Sequence, residues 1–188
     1  MTQTKIGVGM INATSIGAAK VLQGDGSWVA AGFTQGTEQA TTSGTTITFS
    51  SIPSGVDMII LNFEDVGFSS DVGIDVQLGD SGGIETSGYK AGSVSIQGSS
   101  TTAVAATTDR FEMTSAQGAT AMGWHGSMII TLKDSSNNTW IATWCIYTDT
   151  ATIRIGWGSG SKSLSAVLTQ IQLSGGTFDQ GSVNIMYQ

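Results

Sequence analysis

From residue 37 onward, short runs of alternating apolar and polar residues recur, separated by Gly, Ser, Thr and Asn. Period-two alternation of this kind predicts half-buried β-strands. Residues 45–49 (TTITF) alternate cleanly, whereas 57–63 (DMIILNF) are more continuously apolar and predict a buried strand. In 73–78 (GIDVQL), Ile74, Val76 and Leu78 fall on one face and Asp75 and Gln77 on the other. Runs 93–97 and 110–114 are shorter and weaker. Residues 127–132 (SMIITL) and 140–147 (WIATWCIY) flank a segment rich in turn formers, 133–139 (KDSSNNT), and predict a hairpin. Runs 152–157 (TIRIGW), 166–173 (AVLTQIQL) and 182–187 (SVNIMY) complete the set. About ten short strands with almost no helical period predict an all-β fold, an antiparallel β-sandwich of jelly-roll type. A triple-stranded fibre fold sharing one core among three chains is the rival. The body has enough Ile, Met, Phe and Trp to build its own core, which favours the sandwich.

Residues 1–36 break this pattern. They show neither clean alternation nor a capped helix, and only 13–22 leave room for a helical turn or two. The expected organisation is an extended N-terminal arm over 1–36 and a β-sandwich body over 37–188. The arm holds too few apolar residues to fold alone, so its ordering must be offset by packing against something else.

Composition narrows the classes of partner. Charged residues make up 11% of the 188-residue chain, against a usual share near ~25%. Solubility therefore rests on Ser, Thr, Asn and Gln, and so uncharged a surface suits close packing against copies of itself or other proteins. The net charge of −7, with Lys5, Lys20, Lys90, Arg110, Lys133, Arg154 and Lys162 scattered singly, argues against nucleic acid. The 26 glycines suit the tight turns of a many-stranded protein. No apolar run approaches the ~20 residues a spanning helix needs. The single Cys145 excludes an internal disulfide framework, and no Cys/His spacing predicts zinc. With no secretion signal visible, the expectation is a soluble protein made in a cytoplasm.

Reactive constellations are scarce. His125, the sole histidine, lies in Gly123-Trp124-His125-Gly126; a general base needs a nucleophile and an orienting carboxylate, so a loop or packing role is expected. Cys145, between Trp144 and Ile146, reads as a small buried hydrophobe. Asp71, Asp75 and Asp80, with Glu64 and Asp65, offer oxygens to a hard cation, but their spacing misses the calcium-loop pattern and a solvated acidic rim is expected. Glu85, Asp109 and Glu112 are conceivable glycosidase carboxylates, yet sequence spacing places no two across a cleft. The strings Gly82-Gly83, Gly156-Trp157-Gly158 and Gly175-Gly176 lack a phosphate-loop setting and read as turns. Asn12-Ala13-Thr14 and Asn137-Asn138-Thr139 match the glycosylation acceptor pattern, which means little without secretion. No cofactor or metal is expected. Trp124, Trp140, Trp144 and Trp157 are many for so polar a body. Trp140 and Trp144 share one strand face, and core filling competes with ligand stacking or interface anchoring for all four.

Three stretches carry a resemblance. Residues 17–28 (GAAKVLQGDGSW), 78–89 (LGDSGGIETSGY) and 160–188 (GSKSLSAVLTQIQLSGGTFDQGSVNIMYQ) together resemble short bacteriophage tail-fibre or fibre-like virion surface proteins. The first is similar to a linker near the front of many phage fibre chains, the second to a glycine-rich turn within such domains, the third to their closing strands.

The resemblance implies a non-enzymatic virion structural protein, homotrimeric, made in the host cytoplasm and carried on the virion surface. Its arm would dock on other virion proteins of the same phage through Lys5, Ile6, Ile11, Ile16, Val21, Leu22 and Trp28. The sandwich would face outward for host attachment, toward a surface glycan or outer-membrane component, with Trp124, Trp157 and Tyr89 as ligand or interface aromatics. A capsid decoration, cement or head-fibre protein is the alternative, and a glycan depolymerase the remote one. Neither nucleic acid nor membrane insertion is implied.

Overall fold

The computed structural model describes residues 20–22, 28–30, 32–97, 100–103, 106–114, 122–148 and 154–188. The chain divides into two compact units, Met1–Thr34 and Gln35–Gln188. In the first, β1 (Lys20–Leu22) pairs antiparallel with β2 (Trp28–Ala30), Leu22 opposite Trp28. So Lys20–Leu22 is a strand, not the tail of a helical turn; residues 13–19 lie outside the described residues, as do Lys5, Ile6, Ile11 and Ile16. Val21, Leu22 and Trp28 fall in this ladder. The β-branched and aromatic residues of both runs favour such a pairing.

The following strands are β3 (Thr34–Gln35), β4 (Gln39–Ala40), β5 (Thr46–Phe49), β6 (Met58–Phe68), β7 (Asp75–Asp80), β8 (Gly83–Ile84), β9 (Lys90–Gln97), β10 (Ser100–Ala103), β11 (Phe111–Glu112), β12 (Trp124–Asp134), β13 (Thr139–Thr148), β14 (Arg154–Ser163), β15 (Gln170–Ser174) and β16 (Phe178–Tyr187). A nine-stranded sheet has the order β10-β9-β14-β13-β12-β6-β16-β3, with β4 also on β16. A five-stranded sheet has the order β11-β7-β15-β5, with β8 on β7. No helix occurs among the described residues. The all-β, antiparallel sandwich expected from the alternation is the fold observed.

Alternation decides what lies between the sheets. From the larger sheet Ile59, Leu61, Met128, Ile130, Trp144 and Ile146 point inward, and from the smaller Val76, Leu78, Phe111, Ile171 and Leu173 meet them. Phe111 sits 6.1 Å from Trp144 between ring centroids and 4.9 Å, edge-on, from Tyr89. The Trp144 indole N–H donates to the Met113 carbonyl at 3.1 Å, giving a buried donor its acceptor.

Two strands differ from the sequence reading in an instructive way. β14 runs on to Ser163, and Gly156-Trp157-Gly158 lies in mid-strand instead of at a turn. Two of its inward positions are glycines because the neighbours leave no room for side chains: a Cβ at Gly156 would meet Thr114 and the Met113 carbonyl, and one at Gly158 the Trp144 indole. β16 begins at Phe178, through an irregular register around Gly181. Gly82-Gly83 and Gly175-Gly176 do lie at turns, with Gly83 (φ 118°) and Gly175 (φ 156°) in backbone conformations that favour glycine.

A candidate interaction face on the nine-stranded sheet

The other face of the nine-stranded sheet is the notable surface. Strands β12, β13 and β14 form a meander, so their outward residues line up in rows across the sheet. In one row Ser127, Cys145, Trp157 and Val94 are register partners in turn across β12, β13, β14 and β9. The next row carries Met186, Ile60, Ile129, Thr143, Ser159 and Gly92. On the other side run His125, Tyr147, Ile155 and Ile96. Ile129, Tyr147 and Trp157 are each at least 40% exposed. An antiparallel sheet with one face on a core usually turns polar residues to water on the other. Here these three rows are mainly aliphatic, aromatic and small hydroxyl side chains, with Lys90 and Lys133 pointing out of the same face beyond them.

Trp157 is thus the one of the three proposed aromatics that reaches the surface. Trp124 and Tyr89 are 1% exposed, which corrects their placement as ligand or interface residues. Trp124 points inward from β12, the strand's alternation placing it opposite His125. Tyr89 turns its hydroxyl inward, receiving the Leu78 N–H at 2.7 Å and donating to the Glu85 carbonyl at 3.0 Å. Trp140 and Trp144 share the inward face, both buried. Cys145 is exposed, not buried: Trp144 and Ile146 point into the core, so the residue between them must point out. Apolar neighbours in sequence concealed this because both faces of β13 are apolar.

His125 belongs to strand β12 rather than to a loop. Its Nδ1 accepts the Asp65 N–H at 3.2 Å, its Nε2 lies 3.8 Å from the Asp65 carboxylate, and its ring rests 5.5 Å from that of Tyr147. Asp65 takes φ 55° where the β6–β12 register shifts, two residues of β6 facing one of β12. A bulge of this kind re-aims side chains at the rim of a sheet.

Of the acidic residues weighed as an acidic rim, Asp75 and Asp80 belong to two structural clusters, while Glu64 stays exposed and Asp65 lies beside His125. Arg110 gathers Asp75 (3.0 Å), Asp109 (2.7 Å) and Glu112 (3.1 Å) around its guanidinium. Burial pushes the Asp75 carboxyl up to about 6, against the opposing pull of Arg110. In the second cluster the Asp80 carboxylate accepts from the Ser165 hydroxyl (2.6 Å) and the Gly82 N–H (2.7 Å), which hold it below the usual carboxylate range. Burial raises Glu85, but its ion pair with Lys162 and the Ser165 N–H at 2.7 Å more than offset that and lower it. Lys162 is itself buried, 5.4 Å from the Tyr89 ring centroid. Of the carboxylates weighed for glycoside cleavage, Asp109 and Glu112 share one arginine and Glu85 is committed to Lys162. Among the described residues, no group of three or more His, Cys, Asp or Glu is placed to hold a metal ion.

Comparison of the chain with protein-family models, curated proteins and solved structures finds no match.

Proposed function

We propose that this chain is a non-enzymatic structural protein of a bacteriophage virion, fibre-like, docked on the particle by its N-terminal segment and displaying the β-sandwich for host attachment. The observation that carries the reading is the outer face of the nine-stranded sheet. An apolar patch around Ile129, Tyr147 and Trp157, bordered by polar and charged residues, suits association with another macromolecule. The resemblance of 17–28, 78–89 and 160–188 to fibre-like virion proteins supplies the setting. On that reading the chain is carried on the virion surface as a homotrimer, its partners are other virion proteins of the same phage, and its target is a host surface glycan or outer-membrane component.

Peptide mapping of purified virions, together with antibody-labelled micrographs, tests the reading. The chain is expected in the particle at the tail, in a few dozen copies or fewer. Hundreds of copies on the head would favour a decoration or cement role. Absence from the particle would sink both. Failure of the full-length protein to bind susceptible cells would remove host attachment alone.

A further inference from the structure

We infer that a recess on the outer face of the nine-stranded sheet, flanked by Lys90 and Lys133 beside the β12–β13 hairpin loop, binds an acidic saccharide. The inference rests on the proposed host-attachment role and names the chemistry of its target.

The first argument is where the uncommitted cations lie in a chain that carries −7. Among the described residues, Arg110 is ringed by Asp75, Asp109 and Glu112, and Lys162 is paired with Glu85. Arg154 is buried, its guanidinium against the Met122 sulfur. Lys90 and Lys133 are exposed, have no ion-pair partner among the described residues, and line one recess of about 570 Å³. Lys90 stands on β9 and Lys133 on β12, with β14 and β13 between them. Strand spacing sets them ~14 Å apart across the sheet, so the two ammonium groups approach the recess from opposite sides. Asp134 also lines it, but both its oxygens are taken by the hairpin loop. They accept the Ser136 N–H at 3.0 Å, the Ser136 hydroxyl at 2.6 Å and the Asn137 amide at 2.8 Å.

The second argument is the floor between the lysines. Ser161 and Ile141 are register partners there, as are Thr139 and Ser163, whose hydroxyls lie 2.8 Å apart. The Ser161 hydroxyl has no partner among the described residues. Hydroxyls that both donate and accept suit the hydroxyls of a sugar, Ile141 suits the C–H face of its ring, and the lysines suit a carboxylate or phosphate on it. The volume falls within the ~300–1,000 Å³ of small-molecule sites, enough for a short stretch of saccharide. Nucleic acid calls for a stripe of cations along its phosphates, and an anionic membrane for a polybasic cluster. Two lysines set among hydroxyls match isolated charges on a hydroxyl-rich polymer instead.

Biolayer interferometry of the full-length protein against immobilised polygalacturonate, phosphomannan and uncharged dextran tests the inference. At least one acidic polymer should bind and dextran should not; which acidic polymer binds identifies the anionic group. Lys90→Gln/Lys133→Gln should weaken binding at least about fivefold, the scale of two exposed charge pairs. Ser161→Leu, which fills the floor without altering charge, should weaken it comparably. Ser43→Glu/Ser70→Glu changes the net charge equally at exposed positions near Phe68 and Phe178, at the other end of β6, and should stay within about twofold of the parent. Matching thermal midpoints check that every variant folds. Binding to neither acidic polymer would overturn the inference, as would an equal loss in the distant variant or binding that survives Ser161→Leu. Tighter binding of single-stranded DNA through the same lysines would overturn it too. Each of these results leaves the chain's presence on virions untouched, whereas absence from virions with acidic-polymer binding intact would sink the virion reading and keep the saccharide site.

Discussion

Trp144 of β13 lies directly across from Gly158 of β14, and its indole occupies the space a side chain at 158 would need. The same indole bridges to the Met113 carbonyl. One glycine therefore lets a large ring lie flat on the adjacent strand and still reach toward the other sheet.

Gly158→Ala should accordingly destabilise the protein by ~1–3 kcal/mol, the usual cost of forcing atoms into a packed interior. Gly92→Ala, on the open outer face, is the control and should stay within ~0.5 kcal/mol of the parent. Urea midpoints at constant m-value measure both. Equal midpoints for the two variants would show that Trp144 can shift at no cost.

Asp75 sets a pH dependence. Its pKa is about 6 in the folded protein against 3.8 for an ordinary aspartate. Between those values the folded chain holds a proton that the unfolded chain has lost, so stability falls as pH rises from about 4 to 6 and is level above. The amplitude is on the order of 1–3 kcal/mol. Asp75→Asn should abolish this slope while leaving Arg110 paired with Asp109 and Glu112. Asp80 and Glu85 act in the opposite sense: their lowered values contribute stability that is present above the ordinary carboxylate range and lost as pH falls through their folded values. The windows adjoin near the ordinary carboxylate range, so thermal midpoints of the parent and of Asp75→Asn are compared from pH 3 to 8, and their difference isolates Asp75. An unchanged slope between pH 4 and 6 in Asp75→Asn would refute the assignment.

The bulges on β6 and β16 meet at Asp65 and Gly181. Gly181 has φ 86°, and a Cβ there would press on the Asp65 carbonyl. Gly181→Ala should cost ~2–3 kcal/mol, combining left-handed strain with the clash. Gly55→Ala, at φ 85° with open space around it, should cost only the backbone part, ~1 kcal/mol. The difference between the two midpoints isolates the clash. If both variants lose the same stability, the bulges accommodate a side chain freely.

Period-two alternation was enough to place the main body strands, because inward and outward residues differ sharply along strands such as β7 and β15. It misread residues where a second constraint overrides local character. Gly156-Trp157-Gly158 looks like a turn because glycine is a turn former, yet here it is strand backbone thinned for Trp144 and the opposing sheet. Cys145 looks buried because its neighbours are apolar, and only strand parity, counted from Trp144, turns it outward. The same parity, applied to Trp157 and Tyr147 once their strands are paired, exposes the candidate face; sequence alone gives neither the pairing nor the rows. Trp124 and Tyr89 could not be assigned from composition, since an aromatic on a short strand serves core and surface equally well. The ion pairs Arg110–Asp75 and Lys162–Glu85 join residues far apart in the chain, and no local pattern announces them.

Lys162 supplies the last prediction. Its side chain is 4% exposed, its Nζ donates to the Glu85 carboxylate and to the Ser163 carbonyl at 2.8 Å, and the Tyr89 ring lies beside it. Removing one member of such a pair strands the other, so Lys162→Met should cost ~3 kcal/mol, chiefly by leaving the Glu85 carboxylate without its cation. The double variant Lys162→Met/Glu85→Gln should recover much of that loss, because no unpaired charge remains and the Gln amide can still accept the Ser165 N–H. A double-mutant cycle on unfolding free energies measures the coupling. Strict additivity would mean that the two side chains do not depend on each other, and that Lys162 is held by the Ser163 carbonyl and the Tyr89 ring alone.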